Sequence, residues 1–345
     1  MGTEFQRLLR GGIRRAVRFL GHVHDRLGSS GANAAIATAS DGTEPFLVSE
    51  YWNTQFEVMR TDNSYWMNNV LVKEATYRLM TDQPAHWLNW LMATYFKDRV
   101  FDRSLSVCCG DGAHEIQLHK SGQVRCVTGF DISEGAVRQA QLRFEQAGAP
   151  TDRYRFDVAD VNRLSLDGFY DLIFSTGALH HTTNLEALLP TLRAHLSPIG
   201  YFVVVEFVGP NRFQWTERQL EVINMILESI DPQYLRNGRR AQFERPTIER
   251  MLKTDPSEAV RSEEVYGMIR SQFDVLYERA YNGTIMHMLH PLLRSEFVNQ
   301  GRRDFDSITR LILLLEDLLI QHGALPSDFV FMICRNPGAD SKEIR

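Results

Sequence analysis

The chain has 345 residues, of which 43% are hydrophobic and 23% are charged, and its formal net charge is −5. This length suffices for one elaborated α/β domain or for a core domain with a helical appendage. No stretch reaches the roughly 18 unbroken apolar residues of a membrane-spanning helix, and an acidic chain with one terminal basic cluster is unlike nucleic-acid-binding proteins. The four cysteines lack the spacing of zinc or disulfide sites, so reduced thiols and a soluble, cytoplasmic protein are expected.

A basic segment opens the chain. Arginines from Arg7 to Arg26 alternate with apolar residues at helical spacing, which predicts an amphipathic helix over residues 1–28. Such a helix suits packing or a homo-oligomer contact, and the alternative is contact with an anionic membrane surface. Residues 29–46 are rich in Gly, Ala, Ser and Thr, and we predict that they form a linker.

The rest of the chain predicts an α/β domain preceded by helices. Residues 47–100 form a helical region with many aromatic side chains, and from residue 101 short apolar runs alternate with amphipathic stretches, as in parallel βαβ units. We predict strands at 105–109, 125–131, 154–158, 171–175 and 201–207, with helices beginning near residues 113, 133 and 185. A helical cap is predicted at 209–270, followed by a strand at 273–278, a long helix at 304–322 and a last strand at 329–334.

The first predicted strand runs into a glycine turn and then a helix. Gly110 and Gly112 permit positive φ and let a ligand approach bare backbone, and the following helix directs unpaired N–H groups towards an anionic group. A Gly-x-Gly turn alone does not distinguish nucleotide sites from flavin sites or from turns that bind nothing.

Two carboxylates follow this turn at the ends of the next two strands. Asp131 lies nineteen residues after Gly112, where an acid can accept hydrogen bonds from both ribose hydroxyls. Asp160 ends the third strand, and with the backbone amide of Val161 it can contact an adenine edge. The turn and the two acids are therefore expected to form one nucleoside site.

The fourth strand ends in Ser175-Thr176-Gly177-Ala178-Leu179-His180-His181. With the preceding motifs, this segment resembles the class I S-adenosylmethionine-dependent methyltransferases over roughly residues 100–335. The resemblance implies a Rossmann-like, seven-stranded α/β sheet with an antiparallel last strand, and S-adenosylmethionine as cofactor. The cofactor-binding residues that it implies are Ser106, Cys108, Gly110, Asp111, Gly112, Asp131, Ile132, Asp160, Val161 and Ser175.

Two residues depart from the family's pattern. The family usually has an acid where Ser106 stands and a glycine where Cys108 stands, and Glu115 is the nearest candidate to replace that acid. In the aromatic region we expect Tyr51 and Trp52 to cover the cofactor, because aromatic faces stabilise a sulfonium and a lid excludes water.

Methyl transfer to a hydroxyl also needs a base, for which we predict His180 or His181, with Glu206 as the competing candidate. No catalytic metal is expected, because the histidine pairs lack accompanying ligands at familiar spacings. Three residues are candidates for acceptor binding: His287, His290 and Arg261. We expect Arg261 either to recognise a polar substrate or to pair with Glu258.

The function predicted from these residues is O-methylation of a small molecule, with a sugar, a glycan-linked group or a natural product providing the hydroxyl. A looser similarity to bacterial sugar methyltransferases through residues 255–262 favours the sugar. The alternatives are N-methylation of an amino sugar or natural-product precursor, and a catalytically silent binding subunit. A nicotinamide-dependent oxidoreductase is disfavoured, because His114 and Glu115 stand where the Rossmann turn needs its third glycine.

Overall fold

A computed structural model describes residues 45–338 of the chain. The predicted basic helix 1–28 lies outside the described residues, as does the predicted linker up to residue 44. The last two residues of the predicted linker, 45 and 46, belong to the first described helix. Within the described part, none of the helices combines the length and the apolar character that crossing a membrane requires.

Seven strands form a single mixed sheet in the order β3-β2-β1-β4-β5-β7-β6. β7 runs antiparallel to both of its neighbours, whereas the other pairs are parallel. This topology confirms the predicted Rossmann-like sheet with an antiparallel last strand. The strand bounds are β1 Phe101–Val107, β2 Val124–Asp131, β3 Tyr154–Val158, β4 Tyr170–Thr176, β5 Leu196–Phe207, β6 Asp274–Ala280 and β7 Phe329–Arg335.

The first strand ends two residues earlier than predicted. Cys108 has φ +51, which takes the chain out of the extended conformation, so Cys108 and Cys109 belong to the turn. β5 in turn begins five residues before the predicted 201, and a register irregularity lies between its pairs with Tyr170 and Leu172. Val107 pairs with Phe130 on one side and with Ser175 on the other, so the carboxyl ends of β1, β2 and β4 lie side by side.

The helices alternate with the strands and are capped by the side chains that the sequence supplies. Ser133 accepts a hydrogen bond from the amide of Ala136 at the start of α5, and Thr216 forms a capping box with Gln219 at the start of α7. The helix bounds are α1 Pro45–Thr61, α2 Val70–Thr81, α3 Trp87–Trp90, α4 Ala113–Lys120, α5 Glu134–Gln146, α6 Leu185–His195, α7 Glu217–Ser229, α8 Ile248–Thr254, α9 Ser262–Gln272, α10 Met286–Leu289 and α11 Arg303–Gln321.

Each face of the sheet is covered by its own apolar cluster. Alternate residues of the strands face opposite sides, so Leu172 and Phe174 pack with α3 and α5, whereas Ile173 packs with α6 and α9. α9 therefore flanks the sheet, although it falls mostly within the segment 209–270 that we interpret as a cap. A third cluster joins α7, α10 and α11 to α2, and it borders the carboxyl end of the sheet. The domain boundaries themselves stay predictions.

Candidate active site

The glycine turn after β1 is held by positive φ angles at Cys108, Gly110 and Gly112. A Cβ at Gly112 would lie 2.8 Å from the Cβ and 2.9 Å from the Cα of Ala140, so α5 can pack on the turn only because residue 112 is a glycine. Cys108 adopts the left-handed backbone conformation, at a position where the methyltransferases that this chain resembles usually have glycine. This conformation costs an L-residue about 1–2 kcal/mol.

Asp131 lies directly against this turn. Its carboxylate accepts hydrogen bonds from the amides of Gly110 and Ser133, each at 2.9 Å, and its carbonyl accepts one from Ala159 at 2.9 Å. Burial raises the pKa of Asp131, although these amides work in the opposite direction. The turn, Asp131 and the end of β3 thus meet at one edge of the sheet, as their order in the sequence predicts.

The other predicted cofactor residues surround the same edge. Burial and the nearby acids Asp131, Glu206 and Asp160 raise the pKa of the Cys108 thiol, which shows that these groups lie close to one another. Asp160 accepts a hydrogen bond from the amide of Asn162 at 2.9 Å and so begins a short helical turn. Ile132 and Val161 lie shortly after β2 and β3, and Ser175 lies near the end of β4. Val161 and Ser175 are buried, whereas Ile132 is partly exposed.

Asp111, between the two glycines, anchors neighbouring helices. Its carboxylate pairs with Arg60 of α1 at 2.7 Å and with Arg143 of α5 at 2.6 Å. The Arg143 Nε also donates to the Asp111 carbonyl at 2.7 Å. Because Asp111 is buried, these two guanidinium groups compensate its charge and fix the turn against α1 and α5.

Ser106 and Glu115 form a buried pair beside the turn. The Ser106 hydroxyl donates to Glu115 Oε1 at 2.5 Å. Glu115 is 1% exposed, and its Oε2 has no hydrogen-bond partner among residues 45–338. Burial, against the hydrogen bond from Ser106, raises the pKa of Glu115 to about 7. A carboxylate therefore occupies the neighbourhood of position 106 even though the strand itself carries serine.

Helix α1 runs across this edge of the sheet. Asn53 Oδ1 accepts hydrogen bonds from the Ser133 hydroxyl at 2.7 Å and from the Gly135 amide at 3.0 Å, at the start of α5. Trp52 meets the ring of His181 edge-on, with 5.3 Å between ring centroids. Burial and the charges of Asp255 and Glu258 raise the pKa of Tyr51 to about 12. Tyr51 and Trp52 thus lie beside the histidine pair and the carboxylates of Asp255 and Glu258.

His180 is held between two carboxylates. Its Nδ1 forms a short hydrogen bond with Glu206, and its Nε2 lies 3.3 Å from Glu258 Oε1. Burial disfavours the charged ring, but Glu206 and Glu258 outweigh it and raise the pKa of His180 to about 10. The two carboxylates therefore favour the protonated ring of His180. The choice of His180 or His181 as the base stays a prediction.

Glu206 is fully buried and positions this histidine. Its Oε2 accepts hydrogen bonds from the amides of Ala178 and Leu179 at 2.9 and 2.7 Å, and its Oε1 accepts one from Phe207 at 2.8 Å. Burial alone would raise the pKa of Glu206. The charge of His180 and the hydrogen bonds from the Ala178 and Leu179 amides lower this pKa by more than burial raises it, so Glu206 stays ionised. With both oxygens engaged, Glu206 fixes the loop after β4. Its role as the competing base stays a prediction.

His181 has a different environment. Ser257 Oγ donates to Asp255 Oδ1 at 2.7 Å, so its one hydrogen is used, and the 2.9 Å contact between Ser257 Oγ and His181 Nδ1 requires a proton on Nδ1. Burial and the positive charge of His180 lower the pKa of His181, which is therefore neutral. Nε2 is the ring atom that can accept a proton.

Sequence reasoning missed Asp255 and Ser257, and it placed Glu258 with the wrong partner. The loop that carries them folds onto the segment after β4, with the Val260 amide donating to the His180 carbonyl at 2.9 Å. The side chain of Arg212 holds this loop through the carbonyls of residues 256 and 258.

The three residues predicted to bind the acceptor lie in different places. His287 Nδ1 is buried without a partner in the described part of the chain, and burial lowers the pKa of His287 to about 4 despite the nearby Glu258. His290 is 1% exposed and uses both ring nitrogens on Ser64 and Asn69, so it packs the interior. Arg261 pairs with Glu186 and Glu264, at 2.6 Å each, and not with Glu258.

One group of side chains in residues 45–338 has the spacing that a metal ion needs. Ligand atoms of His180, His181 and Glu258 all lie within 4.8 Å of one another. A proton on His180 Nε2, shared with Glu258, accounts for the same geometry without a metal. The expected absence of a catalytic metal stays a prediction.

Part of the chain matches a family of known proteins. Residues 105–200 match the family described as "Methyltransferase domain". A malonyl-[acyl-carrier protein] O-methyltransferase of Bacillus cereus is 28% identical over 147 residues, which are 43% of this chain and 52% of that protein. The chain thus spans about half the length of this relative.

Two solved structures are similar to this chain at low identity. An S-adenosylmethionine-dependent methyltransferase of Mesorhizobium loti is 20% identical with a TM-score of 0.41, covering 72% of this chain and 98% of that one. An O-methyltransferase from a polyketide synthase multienzyme of Brevibacillus brevis, solved with S-adenosyl-L-homocysteine, is 12% identical with a TM-score of 0.41. It covers 72% of this chain and 71% of its own.

Proposed function

Because this chain belongs to the class I S-adenosylmethionine-dependent methyltransferases, a family of enzymes with that cofactor, we propose that it methylates an oxygen atom of a small molecule. The observation that carries the proposal is the contact of the glycine turn with Asp131, next to a neutral His181 whose Nδ1 is tied to Ser257. S-adenosylmethionine supplies a methyl group on a positively charged sulfur, and the protein supplies its alignment with the acceptor.

The glycine turn at residues 110–112, Asp131 and Asp160 lie at one edge of the sheet, which we call the nucleoside edge, and they fit this cofactor. Gly110 and Gly112 have positive φ and present bare backbone, which would let the cofactor approach the turn closely. Asp131 retains lone pairs on both oxygens for the ribose hydroxyls after accepting its two amide bonds, and Asp160 with the amide of Val161 would contact adenine. Tyr51 and Trp52 would cover the reacting groups and exclude water.

His181 is the base in this proposal. Its Nε2 would take the proton of the acceptor hydroxyl during methyl transfer, and Ser257 with Asp255 would stabilise the resulting imidazolium through Nδ1. His180 serves a positioning role, because its charge keeps His181 neutral and it holds Glu258 in place. Of the two histidines predicted as bases, the hydrogen bonds therefore favour the second.

An acceptor that bears both a ring and hydroxyl groups suits the neighbouring side chains. The rings of Phe213 and Trp215 are stacked at 4.9 Å, and His287 lies against both. The partly buried rings of Phe213 and His287, which lie against each other near Glu258, would bind the apolar face of a sugar or natural-product ring while the Glu258 carboxylate accepts its hydroxyl. The Bacillus cereus relative is named as an O-methyltransferase, which also favours oxygen over nitrogen. An amino-sugar or natural-product nitrogen is the second candidate.

The proposal is tested with the purified chain. We expect calorimetry to show binding of S-adenosylmethionine and S-adenosylhomocysteine, and labelled methyl groups to enter hydroxylated sugars or natural-product hydroxyls in an acceptor panel. The panel includes amino sugars and a malonyl carrier protein as alternatives. Binding with transfer only to nitrogen would replace the proposal by N-methylation, and no cofactor binding at millimolar concentration would indicate a silent scaffold.

Removal of metal ions should leave methyl transfer unchanged. His180 Nε2 carries a proton that satisfies Glu258, so the cluster of His180, His181 and Glu258 needs no cation. Transfer rates are compared before and after dialysis against a chelator, with and without added Mg²⁺, Mn²⁺ or Zn²⁺. Loss of activity on dialysis with recovery on adding one of these ions would show that the cluster is a metal site.

A further inference from the structure

The family's acidic position at the end of the first strand is serine in this chain, and a carboxylate from the next helix lies beside it. We propose that Glu115, oriented by Ser106, binds the ammonium group at the methionyl end of S-adenosylmethionine. This inference rests on the proposed function, since it assigns a residue to the same cofactor. It concerns a departure of this chain from the family's pattern.

The geometry brings the Glu115 carboxylate to position 106. Glu115 is in the first turn of α4, directly after the glycine turn, and the 2.5 Å hydrogen bond from the Ser106 hydroxyl fixes its Oε1. Ser106 itself pairs with Gly129 and Phe174 of the flanking strands, so its side chain is held by the sheet. An acid on the helix, together with a short hydroxyl on the strand, thus replaces an acid on the strand.

One oxygen of the buried Glu115 carboxylate lacks a hydrogen-bond donor among the described residues. Its Oε2 is buried and has no hydrogen-bond partner among residues 45–338, and an unpaired buried acceptor destabilises the fold. A cation that donates hydrogen bonds at this oxygen would remove that cost. The ammonium of the methionyl group is such a cation, and it belongs to the molecule that the adjacent turn is proposed to bind.

The charges that face Glu115 favour a cation as well. Asp111 and Asp131 both disfavour its ionisation, whereas Arg60 and Arg143 are engaged with Asp111. Cys109 is the remaining titratable neighbour, and its thiol is neutral because burial and Glu115 raise its pKa. Without a ligand, Glu115 is therefore partly protonated near pH 7, and an ammonium would favour its ionised form.

Calorimetry with two ligands separates this role from a structural one. S-adenosylhomocysteine carries the ammonium, whereas 5′-methylthioadenosine has the same nucleoside without the amino-acid portion. We expect Glu115→Gln to weaken S-adenosylhomocysteine about 10- to 100-fold, which is the loss of one hydrogen bond to a charged group, and to leave 5′-methylthioadenosine within twofold. Glu134→Gln, at the exposed start of α5, is the control and should change neither affinity.

A second variant tests the position of the carboxylate. Ser106→Asp combined with Glu115→Gln returns the acid to the strand, and we expect it to recover most of the lost affinity for S-adenosylhomocysteine. Unchanged affinity for S-adenosylhomocysteine in Glu115→Gln, or equal weakening of both ligands, would overturn this inference alone. Failure of the unaltered chain to bind either ligand would overturn the proposed function together with it.

Discussion

Replacing His181 with glutamine is expected to lower kcat about 10²- to 10⁴-fold, the usual contribution of a general base. The nucleoside edge does not include His181, so the affinity for S-adenosylhomocysteine should stay within about threefold. Since burial and His180 lower the pKa of His181, kcat of the unaltered enzyme should be flat above pH 6.5 and fall at lower pH as the ring gains its proton. Steady-state kinetics between pH 5 and 9 and calorimetry provide the two measurements.

The control for this substitution is His195→Gln. His195 lies at the end of α6, and its Nδ1 donates to the carbonyl of Gly168. The next residue, Leu196, pairs with the first residue of β4, so His195 lies at the end of the sheet opposite the site loops. It should leave kcat within twofold. A loss of less than about tenfold in His181→Gln would contradict the role of base, and it would favour a nitrogen acceptor, because a neutral amine needs little assistance from a base.

The sequence predicted the sheet well, because the alternation of strands and helices depends on local spacing. Parallel strands joined by helices bring their carboxyl ends together, so Gly110, Asp131 and Asp160 had to meet once the strands were recognised. Capping of α5 by Ser133 followed from the same local pattern. Cys108 is the informative exception: it adopts a glycine-like backbone, which residue preference alone would not predict.

The difference between the two histidines could not be predicted from the sequence. His180 and His181 are adjacent, and their pKa shifts depend on partners that come from distant segments. Glu206 reaches His180 from β5, whereas Ser257 reaches His181 from a loop 76 residues away. These contacts depend on how the chain returns after β5, which hydrophobic periodicity does not specify.

The placement of α1 is equally non-local. Its contacts with Asp111, Ser133 and His181 lie on three different loops of the sheet edge, and each is a polar or aromatic contact with no sequence period. The aromatic content of residues 47–100 predicted a lid, but Trp66, Trp87 and Phe96 are buried in the core, and Tyr77, Trp90 and Tyr95 pack against it. Tyr51 and Trp52 lie beside the charged site residues, and Tyr65 also lies near Glu258.

Gly112→Ala should destabilise the protein by about 2–5 kcal/mol and weaken S-adenosylhomocysteine at least tenfold. The alanine would be forced into φ +73, which costs about 1–2 kcal/mol, and its Cβ would lie 2.9 Å from the Cα of Ala140, which α5 can relieve only by moving. Such a shift moves the helix that also carries Arg143, the partner of Asp111 in the turn. Urea unfolding measures the first effect and calorimetry the second.

Gly122→Ala separates the strained backbone from the collision. Gly122 has the same φ of +73, but a Cβ there would meet no atom within 4 Å, so only the backbone cost of about 1–2 kcal/mol is expected, with unchanged cofactor affinity. Equal destabilisation of the two variants would mean that α5 yields freely at Ala140. In that case the close packing of α5 on the turn would not be what shapes the cofactor site, because the turn would keep its geometry without the glycine.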